Sequence, residues 1–386
     1  MAQQFPSLWC LDPAVTYLNH GSFGACPADV LERQSALRTV MERELVDFFA
    51  VDLQGRLNMA RESVAAFLGA DPADLAFVSN ATSGVSTVLR ALEFAPGDEL
   101  LTTNHAYAAC RNALDFIAGR AGARVVVATL PFPIRDEDEV VARVLEQVSP
   151  RTRLALLDHV TSPTALVLPI ARLVAELRAR GVETLVDGAH APGMVPLALA
   201  TLGAAYYTGN AHKWLCAPKG AAFLYVRRDR QPGLHPLTIS HGFGRGFQAE
   251  FDWTGTGDPT AWLCIPEAIR YVGGLLPGGW PEVMATNHAL ALAARDVVCD
   301  ALGVAPPAPD GMLGSMASVP LPTPAPGSPA ARLDSDGLCA WFRERGVRTW
   351  LYPRPLPLVR ISAQLYNDLG QYRRLASLLG EALHGG

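Results

Sequence analysis

The stretch TGNAHKWLCAPKG, residues 208–220, decides how the rest of the chain is read. It leaves an apolar run, passes Gly209 and Asn210 to a His-Lys pair, and stops at Pro218 and Gly220, residues that punctuate regular structure. A surface lysine ordinarily sits among other charges on a helix. Lys213 instead has Trp214, Cys216 and Pro218 for neighbours, which suggests an amine held on a loop above a buried sheet. So short a motif recurs by chance, and the flanking chain has to give it meaning.

Short apolar runs at 75–78, 99–102, 124–128, 154–158, 184–187, 204–207 and 221–226 frame that stretch, with helical patterns at 83–93, 108–121, 137–148 and 170–180 between most of them. The runs are apolar throughout instead of at every second residue. Strands of that kind, spaced by helices, predict a mainly parallel sheet covered on both faces. Such a sheet binds its ligand beyond the carboxyl ends of its strands, so the residues closing each run are the ones to inspect.

Ser79-Asn80-Ala81-Thr82-Ser83-Gly84 closes the first run and opens a helix. That arrangement sets N–H groups and hydroxyls at a positive helix end suited to a phosphate, although an ordinary N-cap has the same composition. Asn104-His105-Ala106-Tyr107 and Asp158-His159-Val160-Thr161-Ser162-Pro163 close two more runs, and Asp187-Gly188-Ala189-His190 closes the run before the lysine. A carboxylate at the end of a buried strand is costly unless it meets a cation, so something positive is expected beside Asp187. Neither GxxxxGK[ST] nor a strand-following GxGxxG is present, which excludes a Walker loop and the dinucleotide fingerprint.

Residues 17–24 read as an ordered loop, followed by helical patterns from Pro27 to about residue 49 and from about residue 56 to 68. Past residue 260 the pattern is helical at 262–275 and 281–302, then Pro-rich over 305–331, with a strand expected at 313–319 and a surface loop from Pro320 to Pro329. A helix at 334–345, strands near 347–351 and 357–361, and a last helix from Asp368 complete a small α+β unit.

The net charge of −5, from 32 basic and 37 acidic residues, offers no basic field for a nucleic-acid backbone. No apolar run approaches the roughly 18 residues of a membrane span, and the start lacks the character of a signal peptide. Asn80-Ala81-Thr82 is then a coincidental glycosylation acceptor. Seven scattered cysteines without a CxxC or CxxH pair argue against a disulfide framework or a metal site. The expectation is a cytoplasmic protein of small-molecule chemistry, with no nucleic acid, membrane or metal.

A phosphate-type turn, a histidine, a Ser/Thr/His loop, a strand-end aspartate and a loop lysine match what pyridoxal 5′-phosphate demands. That cofactor needs a lysine for its Schiff base, an anion to keep its ring nitrogen protonated and a socket for its phosphate. On YLNHGSFG (17–24), SNATSG (79–84), HVTSPTA (159–165), DGAH (187–190), GNAHKW (209–214) and WTGTGDP (253–259), the chain resembles the class V aminotransferase family of fold-type I pyridoxal-phosphate enzymes, and within it the isopenicillin N epimerase-like branch.

The resemblance implies an α/β fold: an arm at 1–14, a large cofactor-binding domain at 15–260 with a mainly parallel seven-stranded sheet, and an interdomain helix and small C-terminal α+β domain in 261–386. It implies that Lys213 carries the cofactor and shuttles the α-proton, and that Asp187 pairs with the ring nitrogen. His105 lies where the family stacks an aromatic ring, with Tyr107 as its substitute. Thr82, Asn210 and His212, with the backbone of Ala81, fall at phosphate positions, and Ser162 and His190 near the phenolic oxygen. Thr256 matches a residue that reaches the neighbouring subunit's phosphate, which implies a homodimer with shared active sites. Arg360 matches the arginine for the substrate α-carboxylate, a bidentate task that suits it, with a structural ion pair as the other explanation. Asn19 and His20 would line the substrate side.

The chain departs from its relatives at Ala165, where glycine is frequent, and at Gly257, where a larger side chain is frequent. Residues 348–357 contain no cysteine, which disfavours a persulfide relay of the desulfurase kind; Cys299 and Cys339 read as packing residues. The chemistry implied is at Cα of an α-amino acid or small peptide. Return of the proton to the opposite face gives epimerisation and needs a second acid, for which Tyr107, His20 and His105 are candidates; its return to the cofactor gives transamination. A cysteine or sulfoxide C–S lyase or desulfhydrase is the alternative on the same scaffold, and a non-catalytic cofactor-binding module the alternative of another class.

Overall fold

The structure, a computed structural model, describes residues 5–353 and 356–385. Seven strands, β1 (Leu75–Val78), β2 (Glu99–Thr103), β3 (Arg124–Ala128), β4 (Thr152–Asp158), β5 (Glu183–Asp187), β6 (Tyr206–Asn210) and β7 (Ala222–Val226), form one sheet in the order β1-β7-β6-β5-β4-β2-β3. β2 to β6 pair in parallel, and β7 runs antiparallel between β6 and β1. Every expected run is a strand. β6 extends to Asn210 because Gly209 and Asn210 pair with Phe223 and Ala222 of β7, which carries the chain to the brink of the lysine loop.

Both faces of the sheet are covered, and this is why its strands are apolar throughout. Leu154 and Leu156 of β4 join a core with Val88 and Leu114 of the helices Ala81–Ala91 and Ala108–Ala121. Their neighbours Ala155 and Leu157 join the opposite core with Leu173 of the helix Ile170–Ala179. Alternation along the strand sorts residues between two apolar layers, not between core and water.

A second, antiparallel sheet of β8 (Met316–Pro320), β9 (Trp350–Tyr352) and β10 (Leu358–Ser362), in the order β9-β10-β8, stands with the helices Gly279–Leu302 and Leu369–His384. The last helix starts at a capping box between Asp368 and Gln371.

Four segments differ from the sequence expectation. Residues 17–24 are not a plain loop, since Thr16–Tyr17 pairs in parallel with Val347–Arg348 and His20–Phe23 makes one helical turn. Elements that short leave no periodicity to read. The strand expected at 347–351 divides, because Val347–Arg348 serves the amino-terminal segment and Trp350–Tyr352 serves β10. Pro320 ends β8 and does not begin the loop. The helix from Ala28 stops at Arg43, where Glu44 leaves the helical region (φ −142°, ψ 71°), and Asp47–Asp52 form a π-helical turn. The first two differences position the site: Leu18 N–H donates to Arg348 O (2.8 Å) and Ser362 N–H to Leu18 O (2.9 Å), which lays Asn19 and Ser22 beside Arg360.

Candidate active site

A cleft of about 460 Å³ opens beyond the carboxyl ends of β1, β4, β5 and β6. One corner of it is the start of the Ala81–Ala91 helix. Asn80 caps that helix by accepting Ser83 N–H (2.8 Å), and Ala81 N–H donates to Asn210 Oδ1 at the end of β6 (2.8 Å). The contact exists because Gly84 has no side chain: a Cβ there would collide with Thr208 Oγ1, so only glycine lets the helix rest directly on β6. Thr82 and His212 complete this wall. His212 gives its Nδ1–H to Ala221 O (2.9 Å), which leaves Nε2 as its remaining polar atom.

Lys213 stands on the cleft wall with Nζ 3.2 Å from His190 Nε2. Burial first, and the Arg360 cation second, pull its amine down to about 8. The loop is braced from behind. Gly24, at φ +69°, lies so close to the His212 carbonyl that a Cβ would clash with it. His20 accepts at Nδ1 from Ala25 N–H (3.3 Å) and lies 2.8 Å from Tyr366 Oη, so its Nε2–H donates to Lys213 O (3.0 Å).

His20 is therefore packed behind the lysine, not on the cleft wall, and burial draws its pKa down to about 3. His105 is also interior, with Nδ1 3.0 Å from Thr164 Oγ1 and its ring edge-on to Phe132. Tyr107 lines the cleft in its place. Thr256 is exposed on the surface, outside the cleft of its own chain.

Arg360, on β10, is 1% exposed. Its Nη1 donates to Ser162 O (2.8 Å) and Ser162 Oγ (3.1 Å), and its Nη2 to Asn19 Oδ1 (3.1 Å) and Ser22 Oγ (2.8 Å). Nε has no partner. Ser22 and Ser162 themselves line the cleft. Among the described residues this buried guanidinium is held by neutral oxygens and the face of the Tyr352 ring (5.3 Å), without the anion that would compensate its desolvation.

Asp187 closes β5 in register with Asp158 of β4. Asp187 accepts Ala189 N–H at Oδ1 (3.0 Å) and the Cys110 thiol at Oδ2 (3.1 Å). Among the described residues Asp158 has one donor, Tyr107 N–H at Oδ2 (3.2 Å), and its Oδ1 has no partner. Two such carboxylates side by side do not both ionise readily, and the one with fewer donors keeps the proton. Burial, then the Asp187 charge, push Asp158 well above the ordinary carboxylate range.

Sequence reasoning passed over Asp158 and Cys110 as site residues. The rule that selected Asp187, a carboxylate closing a buried strand, applies equally to Asp158. Cys110 carries no such signal, because only tertiary packing sets its helix against β5. Ala165 has φ +58°, a left-handed conformation that glycine adopts without steric cost.

The raised pKa of Asp158 carries a stability prediction. The folded state holds a proton that the unfolded chain releases above its ordinary pKa, so the stability this group contributes is present at low pH. It is lost as pH rises through the folded pKa. Asp158→Asn, a neutral isostere of the acid, should therefore flatten that decline and raise the apoenzyme Tm by roughly a few degrees at pH 8, with little change at pH 4. Parallel melting curves for the two proteins across this range would remove the assignment.

The family model for Aminotransferase class-V matches residues 32–300. The chain belongs to the class-V aminotransferase family. It is 38% identical over 392 residues to isopenicillin N epimerase of Amycolatopsis lactamdurans, with 96% of each chain covered. It is 30% identical over 400 residues to L-cysteine desulfhydrase of Arabidopsis thaliana, covering 95% of this chain and 87% of that one. Among solved structures, a cystine C–S lyase in complex with its product cysteine persulfide matches with a TM-score of 0.81 and 22% identity, over 95% of this chain and 98% of the other. That likeness shows the shared fold.

Among the described residues no helix is long and apolar enough to cross a membrane, and no group of three or more His, Cys, Asp or Glu could hold a metal ion.

Proposed function

We propose that the cleft binds pyridoxal 5′-phosphate and acts at Cα of an α-amino acid, or of a small peptide with a free α-amino group, in the manner of the isopenicillin N epimerases. The observation that carries this reading is Arg360, a buried cation that has, among the described residues, an unpartnered Nε and only neutral partners, behind a wall that also holds a low-pKa lysine and a buried aspartate. The residues fit the cofactor's demands: an amine in Lys213, a carboxylate in Asp187, and a helix start with Thr82, Asn210 and His212 for a phosphate.

When bound, the cofactor supplies an aldehyde for the substrate amine and a protonated ring that accepts the electron pair left at Cα. Arg360 orients the substrate by its carboxylate, Lys213 takes and returns the proton at Cα, and Asp187 holds the proton on the ring nitrogen. His190 and Ser162, both on the cleft wall, would hold the phenolic oxygen. Tyr107 supplies the aromatic wall and, with His20 and His105 turned inward and their pKa values lowered by burial to about 3 and about 4, is the candidate second acid.

Exposed Phe23, Val46, Val51, Ile239 and Phe243 support burial against a second copy, in which Thr256 reaches the neighbouring phosphate. Seven unbridged cysteines support a reducing compartment, the cytoplasm. The similarity to L-cysteine desulfhydrase supports C–S elimination as the second reading.

Incubation with a panel of amino acids in D₂O tests these readings together. Deuterium at an inverted Cα without keto acid supports epimerisation, and sulfide release from cysteine supports elimination. Full cofactor loading with no exchange on any amino acid would favour a non-catalytic module. Arg360→Ala should raise KM for carboxylated substrates by roughly 100-fold or more while cofactor affinity stays within a few-fold. An unchanged KM would show that another group holds the carboxylate.

A further inference from the structure

We propose that Trp214 is a positioning residue: it dictates which nitrogen of His190 carries the proton and so keeps the Lys213 amine a lone-pair base. Trp214 Nε1 donates to His190 Nδ1 at 3.4 Å, and Lys213 Nζ lies 3.2 Å from His190 Nε2. An indole N–H can only donate, so Nδ1 must offer its lone pair. A neutral imidazole that accepts at Nδ1 carries its one proton at Nε2. Nε2–H then points at Lys213, where it meets the lone pair of a neutral amine favourably and the hydrogens of an ammonium unfavourably.

The surroundings keep the imidazole neutral and the indole fixed. Burial, and after it the Lys213 and Arg360 cations, hold His190 well below the ordinary histidine pKa. The Trp214 ring is 1% exposed and packs against the His20 ring, 4.7 Å between centroids. Gly193, at φ +84°, presses against its main chain, where a Cβ would fall 2.7 Å from the Trp214 carbonyl carbon. Trp214 follows Lys213 directly in sequence, so one short loop carries both the base and, through the indole, the device that sets its protonation state. The same Nε2–H would serve a ring oxygen in the loaded cleft; that extension rests on the pyridoxal-phosphate reading, whereas the lock itself does not.

The test uses the full chain without cofactor, so it stands or falls separately from that reading. The chain contains only two lysines, Lys213 and Lys219. Labelling lysine at ¹³Cε therefore gives two resonances, and Lys219→Arg identifies which is Lys213. Labelling histidine with ¹⁵N reports the tautomer of His190, assigned by the loss of its signals in His190→Gln. Both are recorded for the unsubstituted chain, for Trp214→Phe, and for protein with 3-benzothienylalanine at position 214, which keeps the bicyclic shape and exchanges the N–H for sulfur.

The expected result is the Nε2–H tautomer in the unsubstituted chain. In both altered proteins Nδ1–H should be populated, and the Lys213 midpoint should rise by about one pH unit, the worth of one hydrogen bond. His190→Gln should keep the low midpoint, because its carbonyl accepts from Trp214 and its amide donates to the lysine. A merely structural tryptophan would move neither readout. The proposal is overturned by an Nδ1–H tautomer in the unsubstituted chain, or by an unchanged tautomer and Lys213 midpoint with benzothienylalanine. Should Trp214→Phe not fold, the benzothienylalanine protein decides alone.

Discussion

Lys213→Ala is expected to slow exchange of the substrate Cα hydrogen by about 10⁴-fold or more, the upper end of what one positioned base contributes. The physical reason is the state of the amine. With a pKa of about 8, about one quarter of it is neutral at pH 7.5, against about one part in a thousand for an ordinary lysine. No other amine can replace it: Lys219, the only other lysine in the chain, is not on the cleft wall, and an arginine does not give up its proton. Exchange into D₂O measured beside a melting curve separates lost chemistry from lost folding. Partial recovery with added methylamine would identify the missing group as an amine. Exchange retained within tenfold of the unsubstituted protein would remove Lys213 from its role.

Asp187→Ala should leave the protein able to take up cofactor while lowering Cα exchange by about 10²- to 10³-fold, the usual consequence of deleting one electrostatic group aimed at developing charge. Asp187→Asn separates charge from shape and should lose nearly as much. The neighbouring acid adds a second consequence. Without the Asp187 charge, Asp158 loses the repulsion that helps keep it protonated, and it can ionise one strand away. Asp158→Asn added to Asp187→Asn should therefore cost more than Asp158→Asn does alone, a non-additivity that a double-mutant cycle reads directly. Full exchange in Asp187→Asn would show that no anion is needed at that strand end.

The strand and helix order was legible because it rests on local composition. Buried parallel strands must be apolar on both faces, and the residues closing them are drawn to the ligand edge, so Asp187 and Lys213 could be picked out without coordinates, whereas Asn210 entered only through the family resemblance. The amino-terminal segment was not legible in this way. Thr16–Tyr17 owes its pairing to Val347–Arg348, more than three hundred residues later, and nothing local announces such a partner.

Which histidine faces the cleft was likewise beyond the sequence. His20, His105, His190 and His212 all occupy plausible loop positions. Only the packing of Tyr366 on His20, of Phe132 and Thr164 on His105, and of Trp214 on His190 sorts them into braces and cleft walls. By itself the sequence determined the doubly covered sheet, the lysine loop and the strand-end carboxylate, since each follows from the polarity of consecutive residues. The tertiary structure alone decided the proton inventory of the site. Burial, the register of Asp158 against Asp187 and the distance of Arg360 from Lys213 set which groups are charged, and those are properties of separation in space, not along the chain.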